Sequence, residues 1–422
     1  MAEERPSLQL FILETTTRCN LRCIHCWSSE ENNLGNYDAR DLPMDLFHKL
    51  LPILQDFRPM VQLNGDGETL LHPNFMEMLE KVTRVGCRVM FHTNGTMFTP
   101  RNVEKIIRAG VEHIGFSIDA ASPELFEKIR RRARLDKILE NIRLINKTKE
   151  HLGTKSPELS FRFVAMRQNF HELPSVVKMA GEFKVAILAV AELVEYNLTL
   201  GQSLVNDPLV AEWVSEAEAE ARKWGIRLFL PPQIPKREAA IPASNPAAID
   251  PTSPCTYKGL RKTCKEPWER IFMRVNGKVQ PCCRIDASYG DLCVQSFEEV
   301  WSGSKYKTLR AALLTDEPLT VCVECPLYGW EPMDSGQPNA TTDSTTGTVP
   351  SVDERDVRIS NLVAELNRTY DSHGWKALLI YYKVRNKLFP VDSKRRKVAK
   401  VVWKFFCKFI FETNKALNKA KH

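Results

Sequence analysis

The 422-residue sequence has no uninterrupted apolar stretch of the ~18 residues that a membrane-spanning helix needs. It has no secretory signal either: Met1–Arg5 is acidic and no long apolar run follows it. Repeats of the solenoid kind are missing. Charge of one sign is scarce over most of the length, since residues 1–350 carry 42 Lys and Arg against 45 Asp and Glu. These absences argue against an integral membrane protein and a solenoid array, and they make the cytoplasm the expected compartment. Thiols there are kept reduced, so the 12 cysteines point to metal binding or catalysis rather than to disulfides.

The net charge of +7 sits at one end, because residues 351–422 hold 17 basic against 7 acidic side chains. A basic tail can meet anionic lipid, nucleic acid or an acidic partner. The near-neutral remainder gives no reason to expect specific nucleic-acid binding.

Short apolar runs alternate with helical patterns in the first half. Strands are expected at Gln9–Glu14, Val61–Asn64, Arg88–His92, His113–Ile118, Leu159–Met166 and Val185–Val190. Helices are expected at Met44–Phe57, Asn74–Val85, Arg101–Arg108, Leu135–Thr148 and Leu173–Glu182. This alternation predicts an α/β fold of βα units around a parallel sheet. Six units are too few for a closed eight-stranded barrel, so the expectation is an open, partial (β/α)6 barrel. Seven prolines between Pro231 and Pro254 mark a linker. The expected domains are thus 1–230 (core), 231–254 (linker), 255–330 (a second cysteine-bearing module), 331–351 (a Thr, Ser, Gly and Asp-rich linker) and 352–422 (a basic helical tail).

The loop after the first expected strand reads TTTRCNLRCIHCW, with Cys19, Cys23 and Cys26 at C-x3-C-x2-C spacing. In barrel-type α/β folds, chemistry sits on the loops after the strands. Three thiolates on one loop can anchor an iron–sulfur cluster and leave one iron open to a small molecule, whereas fully ligated clusters use four. Zinc held with His25 as fourth ligand is the competing reading. A tetrahedral site made from all three cysteines and the histidine between two of them would be strained in so tight a loop.

The loop resembles the signature of the radical S-adenosylmethionine (radical SAM) superfamily, with His25 where an aromatic residue often stands. The resemblance continues in order. NGDGET (Asn64–Thr69) follows the second strand, HTNGT (His92–Thr96) ends the third, FSIDAASPELFEKIR (Phe116–Arg130) ends the fourth, and MRQNFHEL (Met166–Leu173) follows the fifth. It implies that Cys19, Cys23 and Cys26 hold a [4Fe–4S] cluster. Gly65, Asp66, Gly67, Glu68, Thr93, Asn94, Ser117, Asp119 and Arg162 are then expected around SAM. Asp66 interrupts the family's glycine motif and Thr69 replaces its proline. The implied chemistry is reductive cleavage of SAM to a 5′-deoxyadenosyl radical, which abstracts hydrogen from the substrate. An external electron donor of flavodoxin or ferredoxin type is implied as well.

Downstream, CKEPWERIFMRVNGKVQPCC (Cys264–Cys283) places Asn276-Gly277 as a hairpin turn between two short strands. The pair Cys322/Cys325 follows. This order resembles the SPASM/twitch auxiliary-cluster module of radical SAM enzymes. The resemblance implies one auxiliary [4Fe–4S] cluster on Cys264, Cys282, Cys322 and Cys325, with a zinc-ribbon-like site as the alternative. Cys283 could replace Cys282. Cys255 and Cys293 stay unassigned, and Cys87 and Cys407 read as small apolar fillers.

A fully ligated second cluster suits an electron acceptor. The expected function is therefore oxidation of a sugar- or cyclitol-like alcohol, with Glu192, Glu195 or Tyr196 taking the substrate proton and Arg162 and Arg167 as further polar candidates. The alternatives are maturation of a ribosomally made peptide and a non-catalytic electron carrier. The core begins almost at once, which counts against the leader-recognition domain of peptide-modifying relatives. In the tail, Val398, Val401, Val402, Phe405, Phe406 and Phe409 recur at helical spacing among lysines. Such a segment can lie on an anionic membrane surface or pack onto the body. It also resembles basic segments that flank glycosyltransferase modules in surface-polysaccharide pathways.

Overall fold

A computed structural model of the chain describes residues 7–29, 39–194, 199, 201–204, 209–231, 234, 260–323, 325 and 328–332. The basic tail, most of both expected linkers, Cys255, Cys407, Glu195 and Tyr196 lie outside them. The described residues fall within one compact unit, Met1–Ser335.

Six parallel strands follow the expected order. They are β1 (Leu10–Leu13), β2 (Met60–Leu63), β3 (Arg88–Thr93), β4 (His113–Ser117), β5 (Glu158–Ala165) and β6 (Ile187–Glu192). The helices between them are α1 (Met44–Phe57), α2 (Phe75–Arg84), α3 (Pro100–Arg108), α4 (Pro123–Ile129), α5 (Leu135–His151) and α6 (Leu173–Glu182). Each of the six strand boundaries lies within two residues of its expected place, because apolar alternation sets both the strand and its buried face. Helix α4 and a further unit, α7 (Val210–Trp224) with β7 (Arg227–Phe229), carry weaker signals.

Along these strands one side chain in two packs against the helices. Phe11, Leu13, Val61, Leu63, Val89, Phe91, Phe161 and Phe163 are fully buried there. The alternate residues, among them Gln62, His92, Ser117 and Arg162, line the concave face. The helix layer is closed by apolar stripes such as Val103, Ile106 and Ile107 of α3. That helix is started by a reciprocal Thr99–Asn102 capping box with Pro100 at its first turn.

The second cysteine region does not stand apart from the core. Its hairpin, β8 (Arg270–Met273) and β9 (Lys278–Gln280), continues the same sheet. β8 runs parallel to β1, with Leu10 opposite Arg270 and Leu13 opposite Met273. The sheet order is β10-β9-β8-β1-β2-β3-β4-β5-β6-β7, where β10 is Gly290–Asp291. Gly277 closes the hairpin with φ +82, and a Cβ there would also lie 2.5 Å from the Cys293 sulfur. α8 (Phe297–Trp301) and α9 (Ser304–Leu313) pack behind it.

Candidate functional site

The three-cysteine loop leaves the end of β1 and is sewn to its neighbours by short contacts. Arg18 makes a two-point contact with Asp41 at 2.9 and 2.8 Å and donates to the Leu71 carbonyl at 2.7 Å. Residues Arg22–Cys23 pair antiparallel with Arg130–Arg131. Gly67 presses against the loop, and a Cβ there would fall 2.5 Å from the carbonyls of Thr16 and Arg18. All three cysteines are free; Cys23 is buried, and Cys19 and Cys26 are half-buried.

Burial pushes the Cys23 thiol up to about 12 and raises Cys19 as well. Buried thiols of this kind become thiolates when a metal takes the proton's place. The donor set therefore fits an iron–sulfur cluster with one open iron. It fits zinc with His25 poorly. His25 turns Nε2 to within 3.6 Å of the Asp119 carboxylate, and burial lowers it to about 4. Among the described residues no three His, Cys, Asp or Glu side chains are grouped to hold a single ion. Sulfurs around one zinc would lie within about 4 Å of each other; those around a cluster bind separate irons.

A buried cation stands behind the loop. Arg130 directs a terminal nitrogen toward the Cys23 sulfur at 3.7 Å and its Nε to Asp119 at 2.7 Å. The second contact is an ion pair whose angle is poor for a hydrogen bond. Asp119 is fully buried and accepts from the Val164 amide at 2.8 Å. Asn169 fixes the same corner, donating to the carbonyls of Asp119 and Val164 at 2.8 and 2.9 Å. The Asp119 carboxylate, expected beside SAM, thus faces Arg130, Val164 and His25.

Glu68 ties the next two motifs together. Its carboxylate accepts from the Thr93 hydroxyl at 2.7 Å, the Asn94 amide at 2.6 Å and the Leu70 amide at 3.3 Å. Burial raises its pKa against these bonds, which lower it. Asn94 donates to Asn20 at 2.8 Å and reaches the Cys19 sulfur at 4.0 Å. The motifs at 64–69 and 92–96 therefore meet the cysteine loop at one end of the sheet, with Gly65 and Asp66 beside them.

Ser117 and Arg162 are register partners on β4 and β5. Burial lowers the Arg162 pKa, and among the described residues no acidic group offsets it. His92, on the same concave face, is lowered to about 3, first by burial and then by Arg162 and His113. Gly115 makes room for it, since a Cβ there would lie 2.5 Å from the imidazole. This wall is neutral to cationic and suits an anionic or hydroxylated ligand. Glu192 ends β6 and is exposed. Arg167 is exposed too and donates to the Ser203 carbonyl at 3.3 Å.

The second set of cysteines lies together. Cys264, Cys282, Cys322 and Cys325 line one pocket together with Cys283, Lys262, Glu266 and Tyr328. Burial pushes Cys264 up to about 12 and Cys322 up to about 11. Lys262 donates to the carbonyls of Cys325 and Tyr328 at 3.1 and 3.0 Å, which places a cation beside the thiols. The pocket admits four or five thiols, so Cys283 stays a possible exchange for Cys282. Cys293 sits against the hairpin turn instead, 3.4 Å from the Asn276 carbonyl. Cys87 is buried 3.2 Å from the Leu54 carbonyl, a filler as expected.

Arg130, Asn169, Glu14 and Arg274 escape the sequence reading as site residues. The first two lie inside the quoted motifs, but nothing in one sequence separates a buried Arg or Asn from a surface one. Arg274 is more than 200 residues from its partner Asp66.

Residues 13–179 match the radical SAM superfamily model, and residues 264–326 match the SPASM iron–sulfur cluster-binding domain. Together they cover just over half of the chain. The chain is 30% identical over 211 residues to the tungsten-containing aldehyde ferredoxin oxidoreductase cofactor-modifying protein of Pyrococcus furiosus. That match takes in 47% of the chain and 54% of the relative, so the chain spans about half of that protein's length. It is 24% identical to the PqqA peptide cyclase of Bradyrhizobium diazoefficiens, covering 66% of the chain and 67% of the relative. Among solved structures, Streptococcus suis SuiB bound to S-adenosylmethionine matches with TM-score 0.53 at 15% identity, over 72% of this chain and 68% of that one. The last likeness is one of fold.

Proposed function

Because the chain belongs to the radical SAM superfamily and carries a SPASM iron–sulfur module, we propose that it is an oxidising radical enzyme whose second cluster accepts an electron from the substrate. The observation that carries this reading is a difference in thiol count. Three cysteines on the first loop leave an iron open for SAM, while the second pocket offers four or more and leaves none. A site with no open iron suits electron transfer rather than substrate binding.

The bound cluster and SAM together supply a 5′-deoxyadenosyl radical. The chain's own residues do the rest. Cys19, Cys23 and Cys26 hold the first cluster, and Arg130 offsets its charge. The loop at Gly65–Glu68, braced by Thr93 and Asn94, receives the methionine end of SAM. Ser117 and Arg162 receive an anionic group in the concave face.

The substrate we favour is a small hydroxyl-bearing molecule of sugar or cyclitol type. Support comes from the polar concave wall of Gln62, His92, Ser117 and Arg162, whose hydrogen-bonding groups suit hydroxyls. Oxidation of the alcohol to a ketone would need a base, for which the residues from Glu192 onward are the candidates, and Cys264, Cys282, Cys322 and Cys325 would hold the group that takes up the electron. A peptide substrate is the second reading, and the likeness to the PqqA peptide cyclase favours it. The electron for SAM cleavage would come from a flavodoxin- or ferredoxin-type donor. Among the described residues no helix is long and apolar enough to cross a membrane.

The test is incubation of reconstituted protein with SAM, dithionite and a panel of deuterated cyclitols, sugars and short peptides. Deuterium in 5′-deoxyadenosine, with a product two hydrogens lighter, supports the reading and names the class. SAM cleavage with deuterium transfer but no oxidised product would remove the electron-acceptor role. No 5′-deoxyadenosine under any condition would leave a non-catalytic electron carrier.

A further inference from the structure

Arg274 lies at the turn of the β8–β9 hairpin and reaches in two directions. Toward the core, its terminal nitrogen meets Glu14 Oε1 at 3.3 Å and the Asp66 carboxylate more closely still. Toward the second module, its Nε donates to Gln280 Oε1 at 2.9 Å. Gln280 in turn donates from Nε2 to Asp286 at 2.8 Å. Gln280 is buried and stands two residues before Cys282. Asp286 lies three residues after Cys283. An unbroken path of polar contacts therefore runs from the glycine loop at Asp66 through Arg274 and Gln280 to Asp286 in the second module.

The core end of this path is rigid. Glu14 is buried, accepts from the Asp66 amide at 3.1 Å and from the Val275 amide at 3.0 Å, and donates its own amide to Met273 at 2.9 Å. Gly65 packs directly on it, since a Cβ there would fall 2.3 Å from the Glu14 side chain. Glu14 and Asp66 are two neighbouring carboxylates with Arg274 between them. Without the guanidinium they would repel each other and the loop backbone at Asp66 would shift. A lysine could not bridge three acceptors on two sides, because only the planar fork presents donors in both directions.

We propose that Arg274 is a positioning residue that ties the SAM-binding loop to the auxiliary-cluster module, so that affinity for SAM depends on Gln280, a residue of the other module. The proposal rests on the reading of Gly65–Glu68 as the SAM loop. It gives Asp66, the residue that interrupts the family's glycine motif, a specific job. Among the described residues the Gln280 side chain hydrogen-bonds Arg274 and Asp286 and reaches the glycine loop through Arg274.

The experiment is equilibrium dialysis of SAM against anaerobically reconstituted full-length protein, with iron counted in each sample. Gln280→Leu is expected to raise the SAM Kd about three- to tenfold without loss of iron, and to add nothing in an Arg274→Met background. An unchanged Kd in Gln280→Leu, or effects that multiply in the double variant, would overturn the proposal. Should Gln280→Leu lose iron, Gln280→Met makes the same comparison. It keeps the side-chain length and removes the oxygen that accepts from Arg274 Nε, so a raised Kd is again expected and an unchanged one overturns it. Failure of the unmodified protein to bind SAM at all would instead refute the loop assignment underneath.

Discussion

Arg130 stands 3.7 Å from the sulfur of Cys23, inside a core that excludes water. A buried guanidinium is tolerated when its charge is answered, and Asp119 supplies one answer at 2.7 Å. The anionic cluster proposed on Cys19, Cys23 and Cys26 would supply the second. Removing the cation leaves Asp119 unanswered. Arg130→Met is therefore expected to cost about 3–5 kcal/mol of stability and to strip iron from the first site. Adding Asp119→Asn to that variant should recover part of the stability but not the iron. Thermal melts with iron analysis check both.

Glu68 accepts three hydrogen bonds in a buried site. A glutamine would turn an amide NH2 toward at least one of those donors. Glu68→Gln should cost about 1–3 kcal/mol and weaken SAM binding tenfold or more. Denaturant melts and SAM dialysis on the same samples measure the two effects.

His92 gives a pH signature. Its folded pKa, about 3, lies below the ordinary value of 6.5, so between these values the unfolded chain binds the extra proton. Stability then rises with pH through that window, by at most about 1.4 kcal/mol per pH unit from this residue, and is lost as pH falls below about 6.5. His113 and His25 are lowered in the same direction. His92→Gln should therefore flatten the melting temperature between pH 5 and pH 7 without abolishing the slope. An unchanged slope would mean that His92 is not the buried neutral group the fold makes it.

The second cysteine set has its own test. Cys322→Ala with Cys325→Ala should lower iron by about four per chain and leave SAM cleavage without substrate largely intact. Cys283→Ser should leave iron unchanged if Cys282 is the ligand. Loss of iron in Cys283→Ser but not in Cys282→Ser would exchange the two assignments.

The sequence carried the architecture further than the chemistry of its support. Leu10–Leu13, Val89–Phe91 and Phe161–Phe163 announce their strands by apolar alternation, and Cys19, Cys23 and Cys26 announce their loop by spacing. Alternation and spacing are local properties. The Arg130–Asp119 pair lies within one quoted motif, but nothing in that window marks the two as partners; the Glu68 cross-link and the Arg274 bridge join residues far apart in the chain, so no window of sequence contains them. The joining of β8 to β1 is of the same kind: each strand is readable alone, but their pairing is tertiary. It turns a module expected to stand behind a linker into an extension of the core sheet. Glu192, chosen by its place after a strand, is the strand's exposed last residue, in phase with the helix-packed Leu188 and Val190 rather than with the concave face.

The central claim is that the loop from Cys19 to Cys26 carries a cluster that cleaves SAM. The direct measurement is 5′-deoxyadenosine released after dithionite and SAM are added to anaerobically reconstituted protein, beside a variant with Cys19, Cys23 and Cys26 all changed to alanine. The account predicts steady release from the unmodified protein with about eight irons per chain, and none from the variant, which keeps about four. Zinc in place of iron with no 5′-deoxyadenosine, or equal release from both proteins, would contradict it.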